Sequence, residues 1–322
     1  MIITRTPFRV SFAGGGSDLR EFYSKNGYGA VVSAAINKYM YIVIHPYFHD
    51  KIRLKYSKTE DVENVDEIQH PIARECMRKA ALEKGVEIAS FADVPAGTGL
   101  GSSSAFTVGL LNALYAYKGK VVSKERLAAE ACEIEIDRLK EPIGKQDQYA
   151  VAYGNINYIK FNKDETVDIS PILLTEPARE KLEDRLCLYY IGGKRKAADI
   201  LNEQKRNMLD DEKFQNLRKM VMLADELRDV LNKENVDSLG GLLHKGWLYK
   251  KELASGISNE GIDGLYNMSL EYGASGGKLL GAGGAGFLLF HANNHESLQR
   301  HLGCRALPFN IDREGTKIIF YE

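Results

Sequence analysis

The sequence predicts an α+β fold in which strands and helices are mixed and the sheets are largely antiparallel. Runs of β-forming residues occur near both ends of the chain. Amphipathic stretches with helical spacing lie between them, and glycine-rich segments separate several of these elements. Because strands and helices do not alternate strictly, antiparallel pairing is expected to dominate.

The first half of the chain begins with strand-like patterns. Residues 2–12 are mostly β-formers in alternation, which predicts a strand. A second β-rich run at 31–44 is interrupted by residues 37–38, which predicts a hairpin or two paired strands. Residues 52–56 alternate between apolar and charged side chains, as an edge strand does, and residues 70–84 have helical spacing.

The next segments carry the clearest helix signals. Residues 88–93 predict a short strand, and residues 102–117 predict a helix with apolar side chains along one side. Ser123 can cap a further helix, which Pro142 ends. Alternation returns over residues 149–161, which predicts another strand.

A polar, proline-containing stretch near residues 162–185 predicts a domain boundary, dividing the chain into residues 1–172 and 173–322. The second part predicts a strand at 186–191, amphipathic helices over 197–272, a glycine-rich loop at 273–286, and strands at 287–291 and 317–321.

Composition excludes several classes of protein. The chain has 322 residues, and its formal net charge of −1 gives no electrostatic footprint for nucleic acid. No stretch approaches the roughly 20 apolar residues of a membrane span, and the start lacks the apolar region of a signal peptide. The four cysteines are far apart, which argues against a disulfide framework or a zinc site. We therefore expect a cytoplasmic protein that binds neither nucleic acid nor membrane.

The strongest functional signal is a glycine- and serine-rich loop between a predicted strand and a predicted helix. Its glycines allow positive φ and close approach of a ligand, and the N–H groups that begin the helix favour an anion. No Lys-Ser/Thr pair follows the last glycine, so it is not a Walker A motif, and the spacing excludes the GxGxxG of dinucleotide-binding oxidoreductases. The alternative is a glycine-rich turn with a serine cap. The predicted phosphate-binding residues are Pro95, Gly97, Gly99, Leu100, Gly101, Ser102, Ser103 and Ser104.

Two acidic residues are candidates for the chemistry. Glu135 continues the row of Leu127 and Ala131, so it lies on the apolar face of its helix, where it needs a partner such as Mg²⁺ or a buried arginine. Asp147 follows twelve residues later, on a predicted turn with Lys145 two positions before it. Such a pair can accept a hydroxyl proton and stabilise the forming charge, although an Asx-turn is the alternative.

Two more glycine-rich loops suggest a substrate cleft. The first follows the N-terminal strand, which carries Arg9, and its candidate substrate residues are Gly15, Gly16, Ser17 and Asp18. The second spans residues 281–286, where Gly283 and Gly284 would belong either to a cleft or to a tight crossing under another element. Lys278, just before it, is a candidate phosphate contact.

Together these motifs resemble the GHMP kinase family. The resemblance rests on residues 6–18, on 95–103, which match Pro-x₃-Gly-Leu-Gly-Ser-Ser, and on the glycine motif at 278–286. It implies a two-domain fold: an N-terminal ribosomal-protein-like α+β domain with a left-handed βαβ unit, and a C-terminal ferredoxin-like domain. It also implies ATP along the middle loop and a substrate between the domains.

The resemblance also implies roles for individual residues. Asp147 matches the family's catalytic aspartate, and Glu135 and Ser103 match its Mg²⁺ ligands. Arg9 falls where sugar kinases of the family carry an arginine close to the transferred phosphate.

Within the family, residues 8–18 and 144–149 are similar to the heptose 7-phosphate kinase branch and partly to the fucokinase-like branch. Gly-Gly-Gly-Ser-Asp replaces the Gly-Glu-His-Thr-Asp of galactokinases, which argues against galactose. The expected reaction is phosphorylation of the anomeric hydroxyl of D-glycero-D-manno-heptose 7-phosphate to the 1,7-bisphosphate, for nucleotide-activated heptose and surface polysaccharide. Lys194 and Arg195, after a predicted strand, are candidates for the substrate's phosphate, with a solvated basic turn as the alternative.

Two other functions stay open at this point. One is a 1-kinase for an unphosphorylated sugar such as fucose. The other is a catalytically silent binding or regulatory protein, against which the retention of Ser103, Glu135 and Asp147 argues. The expected partner is a small sugar phosphate, and a homodimer is compatible with the sequence.

Overall fold

The computed structural model describes residues 1–193 and 197–322. The strands are β1 (Ile2–Ala13), β2 (Tyr28–Pro46), β3 (Ile52–Lys55), β4 (Thr59–Val62), β5 (Val86–Ala92), β6 (Ile156–Asn162), β7 (Val167–Pro171), β8 (Leu186–Gly192), β9 (Ala274–Leu279), β10 (Gly286–Ala292), β11 (Arg305–Pro308) and β12 (Lys317–Tyr321). The helices are α1 (Arg20–Asn26), α2 (Pro71–Ala80), α3 (Ser102–Tyr117), α4 (Lys124–Cys132), α5 (Gln146–Tyr153), α6 (Glu176–Arg185), α7 (Ala197–Asn207), α8 (Asp211–Asn232), α9 (Leu239–Lys251), α10 (Glu260–Glu271) and α11 (His295–Leu302). A π-helical stretch at Glu133–Arg138 and 3₁₀ turns at Val65–Glu67 and Val236–Ser238 complete the list.

The described strands form two sheets. The larger has the order β12-β1-β2-β5-β3-β4, with β6 on another part of β2 and β7 beyond it. The smaller has the order β11-β8-β10-β9. Every pairing within the described ranges is antiparallel except β3 with β5. The predicted α+β class with largely antiparallel sheets is therefore confirmed.

The smaller sheet has the topology of a ferredoxin-like domain. Strand β8 is followed by helices, then by the hairpin β9–β10, then by α11 and β11. With the strands numbered along this unit, the order is 4-1-3-2, and every pair is antiparallel. The last strand, β12, leaves this unit and pairs with β1. A domain boundary near residue 172 stays a prediction.

The prediction of a hairpin within residues 31–44 is wrong, because β2 is one long strand. Opposite Pro7 and Phe8, its pairing register jumps from Tyr39 to Ile36, so the two intervening residues form a bulge. Proline has no N–H to donate to a ladder, which makes this a favourable place for the irregularity. Asn37 and Lys38 therefore interrupt the hydrogen-bonding register of β2 without ending the strand.

Three further predictions need correction. Strand β3 is not an edge strand, because it lies between β5 and the unpredicted β4. Residues 149–153 of the strand predicted over 149–161 belong instead to helix α5. Most residues of this helix are buried, so no amphipathic period marks it. The loop predicted from residue 273 begins later, because β9 occupies Ala274–Leu279. Strand β11 was also not predicted.

Helix α4 begins as expected, with the Ser123 hydroxyl accepting a hydrogen bond from the Arg126 N–H. It then continues as the π-helical stretch rather than as a regular α-helix. π-Helical turns often occur at functional sites, and this one carries Glu135. Across residues 1–193 and 197–322, no helix combines the length and apolar character needed to cross a bilayer.

Candidate active site

The predicted phosphate loop joins β5 to α3. Gly97, Gly99 and Gly101 have φ values of 77°, 82° and 74°, a region that favours glycine. Gly101 is the residue before the first turn of the helix. The N–H groups of that turn have no carbonyl partner within the helix, so the loop and the helix dipole together suit an anion.

The glycine-rich loop at residues 281–286 crosses the phosphate loop directly. A Cβ on Gly99 would lie 2.7 Å from the Leu280 carbonyl oxygen, and one on Gly281 would lie 2.5 Å from the Gly99 Cα. A Cβ on Gly286 would lie 2.3 Å from the Thr98 carbonyl oxygen. These glycines therefore allow the backbones of the two halves of the chain to touch.

Arg9 and Asp147 form a bidentate ion pair in the cleft. The Arg9 Nε–H and Nη2–H donate to the two carboxylate oxygens over 2.7 and 2.6 Å. The Arg9 Nη1–H donates to the Gly99 carbonyl over 2.6 Å. Arg9 is buried, whereas about a quarter of the Asp147 side chain is accessible. The arginine thus fixes the orientation of a carboxylate that a ligand can reach.

Glu135 is fully buried beside the start of α3. One of its carboxylate oxygens accepts from the Ser103 hydroxyl over 2.6 Å, and the other accepts from the Gln148 side-chain amide over 2.8 Å. Burial raises the pKa of Glu135 to about 7, against the lowering effect of these hydrogen bonds. No lysine or arginine of the described ranges pairs with it, so a buried arginine partner is not what the structure contains.

The surroundings of Glu135 fit a magnesium ion. The Oε1 of Gln148 is buried there without a hydrogen-bond partner. A carboxylate, a hydroxyl and an amide oxygen are the hard ligands that Mg²⁺ prefers, with phosphates and water completing its shell. Three clustered acidic, histidine or cysteine ligands are not found among the described residues.

The other end of the cleft is built around Asp18. Its carboxylate accepts from the Gly16 N–H over 3.0 Å and from the Gln146 N–H over 3.1 Å. Burial, followed by the charge of Asp147, raises the pKa of Asp18. A Cβ on Gly144 would lie 2.1 Å from the Asp18 carboxylate, so the two segments interlock here. This end offers polar atoms to a polyhydroxylated ligand.

The cleft lies between the two halves of the chain. Helix α7 contributes Ala197, Leu201 and Gln204, which recur at helical spacing and so face the cleft together. The cleft is also lined by Arg9, Gly15, Gly16, Asp18, Gly99, Gly101 and Asp147.

Several predicted site residues are not brought to this cleft. The Lys145 ammonium donates to the Glu165 carboxylate over 2.6 Å, so it faces away from the Asp147 carboxylate rather than pairing with it. Ser17 is fully buried and its hydroxyl donates to the Ala30 carbonyl. Gly283 packs on Ile257 and does not line the cleft.

The remaining predicted substrate residues are Gly284, Lys194 and Arg195. Gly284 donates its N–H to the Ile257 carbonyl over 2.9 Å, so the loop at this point supports the fold. Lys194 and Arg195 lie outside the described residues.

Sequence reasoning missed Lys250, Gln146 and Gln148. Gln148 directly follows Asp147, and this adjacency could have indicated a role. Lys250 sits among other lysines in an amphipathic helix, where no local pattern separates a buried lysine from solvated ones. Only the packing of α9 against β9 places it in the cleft.

A glycine-rich loop suited to an anion and a positioned carboxylate meet in one cleft, an arrangement that suits transfer of a phosphoryl group. Residues 68–155 match the GHMP kinases N terminal domain, and residues 227–308 match the GHMP kinases C terminal domain. These segments make up more than half of the chain, which belongs to the GHMP kinase family. Members of this family are phosphotransferases that use ATP as the donor.

Individual relatives extend this similarity over the whole chain. The D-glycero-alpha-D-manno-heptose 7-phosphate kinase of Campylobacter jejuni is 27% identical over 98% of both chains. The bifunctional fucokinase/GDP-fucose pyrophosphorylase of Arabidopsis thaliana is 28% identical over 90% of this chain, which spans 30% of that protein. The crystal structure of a D-glycero-D-manno-heptose 1-phosphate kinase from Bacteroides thetaiotaomicron has a TM-score of 0.82, with full coverage of both chains and 24% identity. It supports the fold.

Proposed function

We propose that this enzyme transfers the γ-phosphoryl group of ATP to the anomeric hydroxyl of D-glycero-D-manno-heptose 7-phosphate, giving the 1,7-bisphosphate and ADP. The observation that carries the transfer is the Arg9–Asp147 pair beside the phosphate loop. The heptose substrate is supported by similarity to the Campylobacter jejuni kinase along almost the entire chain. The product would feed synthesis of nucleotide-activated heptose and surface polysaccharide.

In this proposal, the phosphate loop and the hydroxyls of Ser102–Ser104 hold the triphosphate. The side chains of Ser103 and Glu135 would hold Mg²⁺, which neutralises phosphate charge when it is bound. Asp18 and the backbone around Gly16 would bind sugar hydroxyls. Each of these contacts positions the two reactants in line, which is the main requirement of phosphoryl transfer.

Asp147 would hold the anomeric hydroxyl and take its proton. The anomeric oxygen then forms a bond to the γ-phosphorus while the bond from that phosphorus to the bridging oxygen breaks, and ADP leaves. Arg9 keeps the carboxylate aimed at the acceptor through its two hydrogen bonds. Lys145 has no part in this step, because its ammonium binds Glu165.

The test compares the wild type with Asp147→Asn in an assay that couples ADP release to a panel of acceptors. The panel contains heptose 7-phosphate, the unphosphorylated heptose, fucose and galactose. We expect turnover with heptose 7-phosphate, and loss of most of that turnover in the variant with folding and ATP binding retained. Near-normal turnover by Asp147→Asn would disprove its role.

A second candidate substrate is fucose, which the similarity to the Arabidopsis thaliana fucokinase favours. The same panel separates the two sugars. Strong activity on fucose with none on heptose 7-phosphate would replace the first proposal by this one.

A further inference from the structure

Two buried lysines line the cleft on the side of the 280–286 loop. Lys278 on β9 is 3% exposed, and Lys250 in the last turn of α9 is 7% exposed. The Lys278 ammonium donates to the Phe12 carbonyl over 3.2 Å. The Lys250 ammonium donates to the carbonyls of Leu279 and Gly281 over 2.9 and 2.5 Å. Both residues contribute to the wall of the cleft.

Neither lysine has a carboxylate partner within the described ranges of the chain, although burying a cation without one is costly. The nearby charges are cations: each lysine lies close enough to Arg9 to be affected by its charge, and Lys278 affects Lys250. Burial and this repulsion lower the pKa of Lys278 to about 7 and lower the pKa of Lys250 well below its ordinary value. An arrangement that is unfavourable for folding suggests a functional site for an anion.

The lysines also have hydrogen-bonding capacity to spare. An ammonium carries three N–H groups. Lys250 uses two on carbonyl oxygens and Lys278 uses one. Arg9, in contrast, already directs three of its N–H groups to Asp147 and Gly99. By this count, three of the six lysine N–H groups are left for a ligand, against two of the five on Arg9.

The position of Lys250 and Lys278 indicates which anion they would bind. Lys250 binds the carbonyl of Gly281, which packs on Gly99 in the phosphate loop. The positive charge of Arg9 lowers the pKa of both lysines, and Arg9 itself donates a hydrogen bond to the Asp147 carboxylate. They therefore lie where the nucleotide loop meets the catalytic carboxylate.

We propose that Lys250 and Lys278 are catalytic residues that bind the phosphoryl group while it passes from ATP to the acceptor. In the transition state, negative charge spreads over the three equatorial oxygens of this group, and two converging ammonium groups stabilise it there. This inference rests on the phosphoryl transfer of the proposed function but not on the identity of the sugar. The alternative to be tested is that the two lysines bind the phosphate that the acceptor sugar already carries.

The test uses Lys250→Met and Lys278→Met, which remove the charge and keep an unbranched apolar side chain. Lys245→Met is the matched control, because Lys245 is exposed on the same helix α9. For each buried lysine we expect kcat to fall by about 10²- to 10³-fold, the range for losing one preorganised donor to transition-state charge. The fall should be similar with phosphorylated and unphosphorylated acceptors, and KM for the acceptor should stay within about threefold because the ground-state contacts remain.

Nucleotide binding gives a second measurement that needs no acceptor. The wild type should prefer a non-hydrolysable ATP analogue to ADP, and each buried-lysine variant should lose at least part of that preference while its ADP affinity is kept. If the wild type accepts a sugar other than heptose 7-phosphate, the kinetic comparison is made with that sugar. If the wild type shows no measurable turnover with any acceptor, the nucleotide-binding measurement alone decides whether the lysines bind the transferred phosphoryl group.

Two results would overturn the inference. One is unchanged kcat with unchanged preference for the ATP analogue. The other is a rise in KM confined to the phosphorylated acceptor at normal kcat, which would assign the lysines to the acceptor's own phosphate. Circular dichroism and thermal unfolding of each variant show whether it is folded, and Lys245→Met should match the wild type throughout.

Discussion

Replacing Glu135 by glutamine should make the protein more stable and less active. The carboxyl group is fully buried, and its pKa rises from 4.5 to about 7 on folding. Because the folded state holds this proton to higher pH than the unfolded state, stability falls as pH rises from about 4.5 to about 7 and then levels off. Each pKa unit corresponds to about 1.4 kcal/mol, so the charged carboxylate costs about 3 kcal/mol above pH 7.

Glutamine at this position avoids that cost and keeps the local hydrogen bonds. Its carbonyl oxygen can still accept from the Ser103 hydroxyl. In the wild type the Gln148 Oε1 has no hydrogen-bond partner. If the Gln148 amide rotates by half a turn, this oxygen can accept a hydrogen bond from the new side-chain N–H groups at position 135. The variant should therefore gain up to about 3 kcal/mol in unfolding free energy at pH 8 and almost nothing at pH 4.5. For a chain of this length, that gain corresponds to a rise of about 4 °C in Tm.

The assay is thermal unfolding of wild type and Glu135→Gln at several pH values between 4.5 and 8, without nucleotide. Glu141→Gln is the control, because it removes an exposed glutamate from the same region and should leave Tm nearly unchanged. A second set of scans with ATP and Mg²⁺ should show a larger stabilisation of the wild type than of Glu135→Gln. Equal destabilisation of Glu135→Gln at every pH would refute the reasoning, because it would mean that the buried charge is not a cost to the fold.

Three further substitutions test the rest of the site. Gly144→Ala would push a methyl group into the Asp18 carboxylate, and we expect KM for the sugar to rise at least tenfold while calorimetry finds unchanged ATP affinity. Lys145→Met should keep kcat within about threefold of wild type, since this ammonium binds Glu165, and a large loss of kcat in the ADP-release assay would contradict its placement. Gly99→Ala should lower both Tm and nucleotide affinity, because its φ is positive and a Cβ would meet backbone of the 280–286 loop; unchanged ATP binding by calorimetry would count against the loop contact.

The sequence predicted the elements whose signals are local. Helix α3 was predicted with its observed bounds, because the glycine before it and the apolar spacing within it are properties of neighbouring residues. The Ser123 cap was found for the same reason. Helix α5 was missed because it is buried nearly all round, so its sequence carries no contrast between a core face and a solvent face.

The site was predicted in its chemistry more than in its geometry. The inward direction of Glu135 was predicted from α-helical spacing. The structure gives it a buried place beside Ser103, although it lies in a π-helical stretch. The expected pairing of Lys145 with Asp147 did not appear, because proximity in sequence does not determine where two side chains on a helix start point. Arg9 takes that place, from 138 residues away in the chain.

The sequence by itself determined the family, and it predicted the phosphate loop and the residues expected to hold a metal and a proton, since these depend on residue type and short spacing. The tertiary structure decided which cations line the cleft. Lys278 was already a candidate phosphate contact in the sequence because it precedes a glycine-rich loop, whereas Lys250 has no such signal. Both become unusual only because packing removes water and places Arg9, not a carboxylate, beside them. Burial and long-range pairing are properties of the folded chain, which is why no local pattern could reveal the place of Lys250.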